Sequence, residues 1–262
     1  MIANENALVI FKFGENRWIN EIINGTLSFS CAEAFVTQAK KTDNEIQGDR
    51  YEGVFARLKP DDHRIPEMKH KLGNDLIVFQ EGDYVLLRRK SAMLKPIFCF
   101  YQYTAKDALI DAEATVQIGR NTIRHDFDPQ MFTGFSYGNC NISTVADERR
   151  FTTLSLYPNH FINRIKLAMI ANNLSYVMKP VDYELQKEDE FFIEPTDKYN
   201  ELFSKRNMYS YQHEGRICLT KIDFITLAER FSLDIKPLNE NEYKKSHQPF
   251  YFELQADIAR KP

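Results

Sequence analysis

The stretch "LIVFQEGDYVLLRRKSAMLKPIFCFYQY" (76–103) is the strongest constraint on what this chain can fold into. Its apolar runs are short, rich in β-branched and aromatic residues, and broken by turn and charge signals, which is the pattern of strands. Glu81-Gly82-Asp83 predicts a tight hairpin between two of them, because glycine takes the positive φ that such a turn needs. "ALVIFKF" (7–13), "TLSFS" (26–30), "GVFARL" (53–58) and "PFYFELQ" (249–255) read as further strands.

Helical periodicity is interleaved with these strands. In "ENRWINEIING" (15–25), Trp18, Ile19, Ile22 and Ile23 share one helical face, and Asn24-Gly25 is a stop signal. Ser30 and Glu33 are spaced as a capping box for a helix over Cys31, Ala34, Phe35 and Gln38. "NHFINRIKLAMIANNL" (159–174) places Phe161, Ile165, Ala168 and Met169 on one face, with Asn159 as its cap. "TDKYNELFSK" (196–205) and "DFITLAERF" (223–231) predict helices, whereas "SYVMKPVDYEL" (175–185) and "YSYQHEGRICL" (209–219) predict strands. "KKTDNEIQGDRYEG" (40–53) has no apolar period and reads as a polar loop. With no repeat and no long Pro/Gly linker, the expectation is one α+β domain spanning 1–262, built on a mixed, mostly antiparallel sheet with flanking helices.

Charge and cysteine content narrow the function classes. A net charge of -3 over 262 residues gives no global attraction to nucleic acid. Arg88-Arg89-Lys90 is the densest basic run and reads first as a solvated strand end. The four cysteines, Cys31, Cys99, Cys140 and Cys218, are scattered with no CxxC pair, which predicts free thiols in a reducing compartment. "MIANENALVIFKF" carries no basic segment followed by an apolar core, and no apolar run is of membrane-spanning length. The expected location is cytoplasmic, with no membrane partner. There is no phosphate-binding loop, GxGxxG or GxSxG signature, and the six histidines are dispersed, so structural zinc is not expected.

Two segments carry candidate chemistry. "GDRYEGVFARLK" (48–59) offers Asp49, Glu52 and Lys59, residue types that hold Mg²⁺ in metal-dependent nucleases, although Glu52 and Lys59 fall on opposite faces of a regular strand. In "YSYQHEGRICL", a continuous strand puts Gln212, Glu214 and Arg216 on one face and Tyr211, His213 and Gly215 on the other. Gly215 admits close approach of a backbone or ligand. If the polar face is buried, Gln212 and Arg216 orient Glu214 and hold it ionised. If it is exposed, the same residues form a surface Glu–Arg pair of little energetic value.

The chain from about residue 8 to 219 resembles a large bacterial family known only as a domain of unknown function. The counterparts of its landmarks here are Lys12-Phe13, "TLSFS", "GDRYEG", Cys99-Phe100 and "YSYQHEGR". Tyr209 stands where that pattern has tryptophan, Gln212 where it has its first glutamate, and the loop lacks the pattern's Asn-Asp-Pro run. The last motif also resembles the catalytic strand of mono-ADP-ribosyltransferases. That resemblance implies an ADP-ribosyltransferase-like fold and NAD as substrate, with Glu214 as the catalytic carboxylate and Gln212 orienting the acceptor. It further implies Lys12, Arg216, Tyr51, Ser143 and Thr144 around the dinucleotide, with Tyr51 stacked on nicotinamide. The partners implied are a small nucleotide and a protein or nucleic-acid acceptor, in a NAD-using transferase or glycohydrolase acting as a toxin or phage-defence effector. The competing expectations are a non-catalytic module that senses a nucleotide or small anion, a protein-interaction domain, and the metal-dependent nuclease.

Overall fold

The computed structural model describes residues 7–42, 49–117, 122–129, 151–186, 189–224, 226, 229–247 and 251–255. The first half of the chain runs β1 (Ala7–Glu15), α1 (Asn16–Ile23), β2 (Thr26–Cys31), α2 (Ala32–Thr42), β3 (Val54–Leu58), α3 (Arg64–Leu72), β4 (Leu76–Glu81), β5 (Tyr84–Arg89), α4 (Lys90–Met93), β6 (Pro96–Thr104) and α5 (Ala105–Gln117). It continues through β7 (Thr122–Asp126), β8 (Phe151–Leu156), α6 (Pro158–Ala171), β9 (Tyr176–Pro180), β10 (Asp182–Gln186), β11 (Phe191–Phe192), β12 (Ser204–Arg206), β13 (Glu214–Leu219), β14 (Phe231–Asp234), β15 (Tyr243–Ser246) and β16 (Tyr251–Gln255). The fold is α+β, and its strand pairs are antiparallel except β10 with β12, as the sequence implied.

The main sheet is organised around β6. One edge of β6 pairs with β13, which in turn pairs with β9. The other edge forks: β1 pairs with the C-terminal half of β6 up to Phe11↔Tyr101, and β2 pairs at Ile97 and Pro96. β1 continues the sheet through β8 to β15, and β2 through β14. A second sheet, β11-β3-β5-β4, contains the hairpin around Gly82, whose φ is 58°.

Strand alternation gives the main sheet two different faces. On one, Phe98, Phe100, Ile217 and Leu154 pack against Ile19 and Ile22 of α1 and Phe161, Ile165 and Met169 of α6. The other carries Ile97, Cys99 and Cys218, packed with Leu202 and Phe203, and continues into an aromatic cluster of Phe11, Tyr101, Tyr103, Phe127 and Phe151. Glu214 and Arg216 of β13 lie opposite Tyr101 and Cys99 of β6, so they belong to this second face.

Several local expectations are corrected. Trp18 is 47% exposed, and the Arg17 guanidinium lies over its ring, so only Ile19 and Ile22 anchor α1 firmly. Ser30 stays in β2, paired with Ile97, and the helix begins at Ala32. α6 starts with Pro158 at its first turn after Tyr157, one residue ahead of the expected Asn159 cap, because proline is preset for that position. The expected helix at 196–205 is a 3₁₀ turn, Asn200–Phe203, followed by β12. Its apolar pair, Leu202 and Phe203, is drawn into the core at a point where Ser204–Arg206 must pair with β10. The described residues of 223–231 are not helical, and Phe231 opens β14. Among the described residues no helix is long and apolar enough to cross a membrane. Cys31, Cys99 and Cys218 are free thiols, and Cys140 lies outside the described residues.

The turn after α1 depends on its glycine. Gly25 has φ +93°, and a Cβ there would come within 2.4 Å of the Lys236 carbonyl carbon. The same turn pairs its backbone with the segment after β14, through Ile235 N–H to Gly25 O (2.8 Å) and Leu238 N–H to Ile23 O (2.8 Å). Gly25→Ala therefore combines left-handed strain with a backbone clash, and is expected to destabilise the protein by about 2–4 kcal/mol in denaturant unfolding. An unchanged midpoint would contradict this packing.

Candidate functional site

The polar residues of β13 are buried. Arg216 and Glu52 are each 1% exposed, Glu214 7% and Lys205 9%. Of the two outcomes left open by the sequence, the internal one holds.

Arg216 forms the floor. Its Nε donates to Glu214 Oε1 (2.6 Å), and Nη2 donates to Glu52 Oε2 (2.9 Å) and to Glu214 Oε2 (3.3 Å). Nη1 donates to Glu52 Oε1 and to the Leu202 carbonyl. A guanidinium has five N–H donors, and five acceptors surround this one. Arg216 is thus committed within the protein and has no donor left for a dinucleotide, which corrects its expected place around the ligand.

Above this floor, Lys205 Nζ donates to Glu214 Oε2 (2.6 Å) and to Gln212 Oε1 (2.9 Å). The Glu214 N–H donates to the Tyr183 hydroxyl (3.0 Å). Burial alone would raise the Glu214 carboxyl, but Arg216 and Lys205 outweigh it and hold the group well below its ordinary range. Burial likewise opposes the charge of Lys205, and Glu214 more than restores it, so the ammonium is raised. The Cys99 thiol on the same face is pushed up by burial and by Glu214, which disfavours its thiolate.

Gln212 reaches the site by a route the sequence did not suggest. The strand begins only at Glu214; Asn207–Gln212 is a 3₁₀ segment, and His213 turns the chain with φ 40° and ψ 43°. Strand alternation therefore does not align Gln212 with Glu214, and Lys205 joins them instead. The cause is tertiary. Tyr209 is buried beside Arg206, whose Nη2 donates to the Tyr209 hydroxyl (3.0 Å), and the His213 N–H closes a turn on Ser210 O (3.1 Å). Those contacts override the β-propensity of the two tyrosines. Gly215 does admit a close approach, but by side chains: a Cβ there would lie 2.5 Å from the Phe100 ring and 2.6 Å from Gln102 Nε2.

The 49–53 turn flanks the cluster. Asp49 Oδ1 accepts from the Tyr51 N–H (2.8 Å) and from Arg206 Nη2 (2.8 Å). The Arg206 guanidinium lies 4.3 Å from the centre of the Tyr51 ring, so that ring is already stacked on a protein cation, in place of the nicotinamide expected from the resemblance. Burial and Glu81 push the Tyr51 hydroxyl up to about 12. Both Glu52 oxygens bind Arg216, and among the described residues no group of three or more His, Cys, Asp or Glu side chains is arranged to hold a metal. Of the Asp49–Glu52–Lys59 set, Glu52 is thus engaged by Arg216 and Asp49 Oδ1 by Tyr51 and Arg206.

Lys12 sits on the opposite face of the sheet, level with Leu154. Its Nζ donates to the Cys99 carbonyl (2.6 Å) and lies 4.8 Å from the centre of the Phe98 ring. Burial lowers its pKa, with Cys99 and Glu214 opposing. Lys12 thus supports β6 from behind and does not line the Glu214 face. Ser143 and Thr144 lie outside the described residues.

Sequence reading missed Lys205, Arg206 and Tyr183. Lys205 ends the helix expected over 196–205, Arg206 follows it with no element expected, and Tyr183 falls in an expected strand with no site attached. The basic pair in "FSKRN", four residues before the Tyr-rich motif, was the available signal. Compared with protein-family models, curated proteins and solved structures, the chain matches none.

The electrostatics predict an acid-sensitive fold. The folded Glu214 carboxyl is depressed below its ordinary value of 4.5, so its contribution is complete above that pH and is lost as pH falls toward the folded value. Asp107, lowered to about 2 by His213 and Thr104 against the opposing effect of burial, acts in the same direction. Unfolding free energy should fall on going from pH 5 to pH 3, and Glu214→Gln should remove about one proton, or about 1.4 kcal/mol per pH unit, from that slope. Equal slopes for the two proteins would refute the assignment. At neutral pH, Glu52→Ala should cost about 3–5 kcal/mol, because it strands a buried guanidinium.

Proposed function

We propose that the protein is a NAD-using enzyme that transfers ADP-ribose to an acceptor or to water, with Glu214 as its catalytic carboxylate. The observation that carries this reading is a buried carboxylate held ionised and oriented by Arg216 and Lys205, with the half-buried Gln212 on the same ammonium. Cleavage of the nicotinamide–ribose bond sends its electron pair to the nicotinamide nitrogen and leaves an oxocarbenium-like sugar. An acceptor or water oxygen then bonds the anomeric carbon and releases its proton to solvent. A preoriented negative charge under that sugar lowers the barrier without having to reorganise. In this reading Gln212, which shares the Lys205 ammonium with Glu214, orients the incoming acceptor. An accessory role as a toxin or phage-defence effector is consistent with such an activity.

The test is nicotinamide release from NAD, with and without cell lysate as a source of protein or nucleic-acid acceptor. Wild type should release it, and Glu214→Gln should lose at least about 100-fold. Gln212→Ala, a change in a half-buried side chain, should keep the melting temperature and hydrolysis while reducing label transfer to acceptors. Absence of nicotinamide under all conditions would overturn the reading.

A second reading is favoured by the occupancy of the Glu214 oxygens, both already bonded to protein cations. In it the site senses a nucleotide or other small anion through Lys205 and performs no chemistry. A ligand that raises the melting temperature and is recovered unchanged would establish that alternative.

A further inference from the structure

The charges of the site are paired one to one. Glu52 is matched by Arg216, Asp49 by Arg206, and Glu214 by Lys205 as well as by the Arg216 edge. Because Arg216 is engaged by both Glu52 oxygens, the cation that offsets the remaining negative charge at Glu214 is Lys205. With Lys205 on Oε2, the carboxylate presents almost no net charge to a developing cation, and Oε2 is covered. Arg216 is fixed by five bonds at 1% exposure, whereas Lys205 is a point charge on a flexible four-carbon stem, held by two side-chain acceptors beside a half-buried glutamine. Of the two cations on Glu214, Lys205 has the fewer bonds and the greater exposure.

We propose that Lys205 is a latch on Glu214 that the diphosphate of a dinucleotide releases, so that the site acts on NAD and discriminates against nucleosides lacking the diphosphate. This rests on the NAD reading above. In the latched state the ammonium covers Glu214 Oε2. When an anionic diphosphate binds beside Gln212, it takes the ammonium, and Glu214 loses one of its two countercharges while Arg216 keeps it oriented. The anion thus does more than add affinity, because its arrival switches on the carboxylate. A nucleoside with no phosphate leaves the latch closed and meets a neutralised pair. Lys205 would touch the substrate's phosphate, so its effect should appear in kcat as well as in KM.

The experiment compares NAD with nicotinamide riboside, each at saturating concentration, for wild type, Lys205→Met and Lys205→Arg, reading nicotinamide release and checking each variant by thermal unfolding. Wild type should turn over NAD at least about tenfold faster than the riboside, and Lys205→Met should raise riboside turnover until the two agree within about threefold. Lys205→Arg should keep the wild-type preference. Inorganic pyrophosphate added to wild type should stimulate riboside cleavage, a readout that does not depend on a variant folding. Equal kcat on both substrates for wild type, an unchanged ratio in a folded Lys205→Met, or no stimulation by pyrophosphate would overturn the latch and leave the NAD reading standing. Release of nicotinamide from neither substrate would overturn both.

Discussion

The rest of the structure depends on one guanidinium placed where water does not reach. Arg216 is 1% exposed in the middle of the main sheet, and its ordinary hydration must be replaced in full by protein acceptors. That requirement ties together parts of the chain that are remote in sequence. Glu52 comes from the turn before β3, the Leu202 carbonyl from the 3₁₀ turn before β12, and Glu214 from the start of β13. The planar fork of arginine allows a bidentate partner in Glu52 and a second carboxylate at its Nε edge, a geometry that lysine does not reproduce. Such a pair is a poor source of net stability, since desolvation offsets most of the attraction. Its consequence is geometric: when all five donors must be met, the turn, the 3₁₀ segment and the strand have one arrangement relative to each other.

Once that floor is fixed, the layer above it follows. Glu214 receives its direction from the Nε edge of Arg216, and its remaining lone pairs point toward β12, where Lys205 meets them. Arg206, next along β12, extends to the other side and holds Asp49 and the Tyr51 ring. The parallel pairing of β12 with β10 brings Tyr183 to the Glu214 backbone. A short three-residue strand therefore supplies a cation to each side of the site. The two differ in their partners: Arg206 is packed against the Tyr51 and Tyr209 rings and bonds Asp49, whereas Lys205, also near the Tyr209 ring, is held at its tip by Gln212 and Glu214.

The strands around the site were legible because their apolar runs are short and flanked by turn signals. β1, β2, β3, β4, β5 and β6 all appear where the pattern put them. The pattern singled out Glu214 and Arg216 as charges among strand-forming residues, but it left their burial open. The start of β13 was not legible. Tyr209 and Tyr211 have strand propensity, but the burial of Tyr209 beside Arg206 sets the chain into a 3₁₀ turn, and nothing local in the sequence encodes that contact. The partnership of Glu52 with Arg216 spans 164 residues and was equally hidden. Lys205 was missed because a plausible helix, "TDKYNELFSK", absorbed it into the wrong element. In each case a long-range contact overrode a local preference, and the sequence pattern holds only the local part.

Lys12 shows how a residue that looks functional can have a structural cause. β1 leaves β6 after Phe11, and β2 joins it only at Ile97, so among the described residues the edge of β6 between these points has no ladder partner. A buried carbonyl left in such a fork is costly. The Lys12 ammonium enters the gap and bonds the Cys99 carbonyl from the helix-packed face, while Arg216 lies opposite Cys99 on the other side of the same strand pair. The first strand, the 49–53 turn, the Cys99 strand and the 214–216 segment are therefore joined in one continuous set of contacts. Most of that set, Lys12, Cys99, Glu52 and Arg216, is explained by satisfying buried polar groups and needs no ligand. Lys205 with Gln212 on the outer side of Glu214 is the part that satisfying Arg216 does not require, because Arg216 by itself already orients the carboxylate. Any chemistry in this cluster therefore belongs to that upper layer.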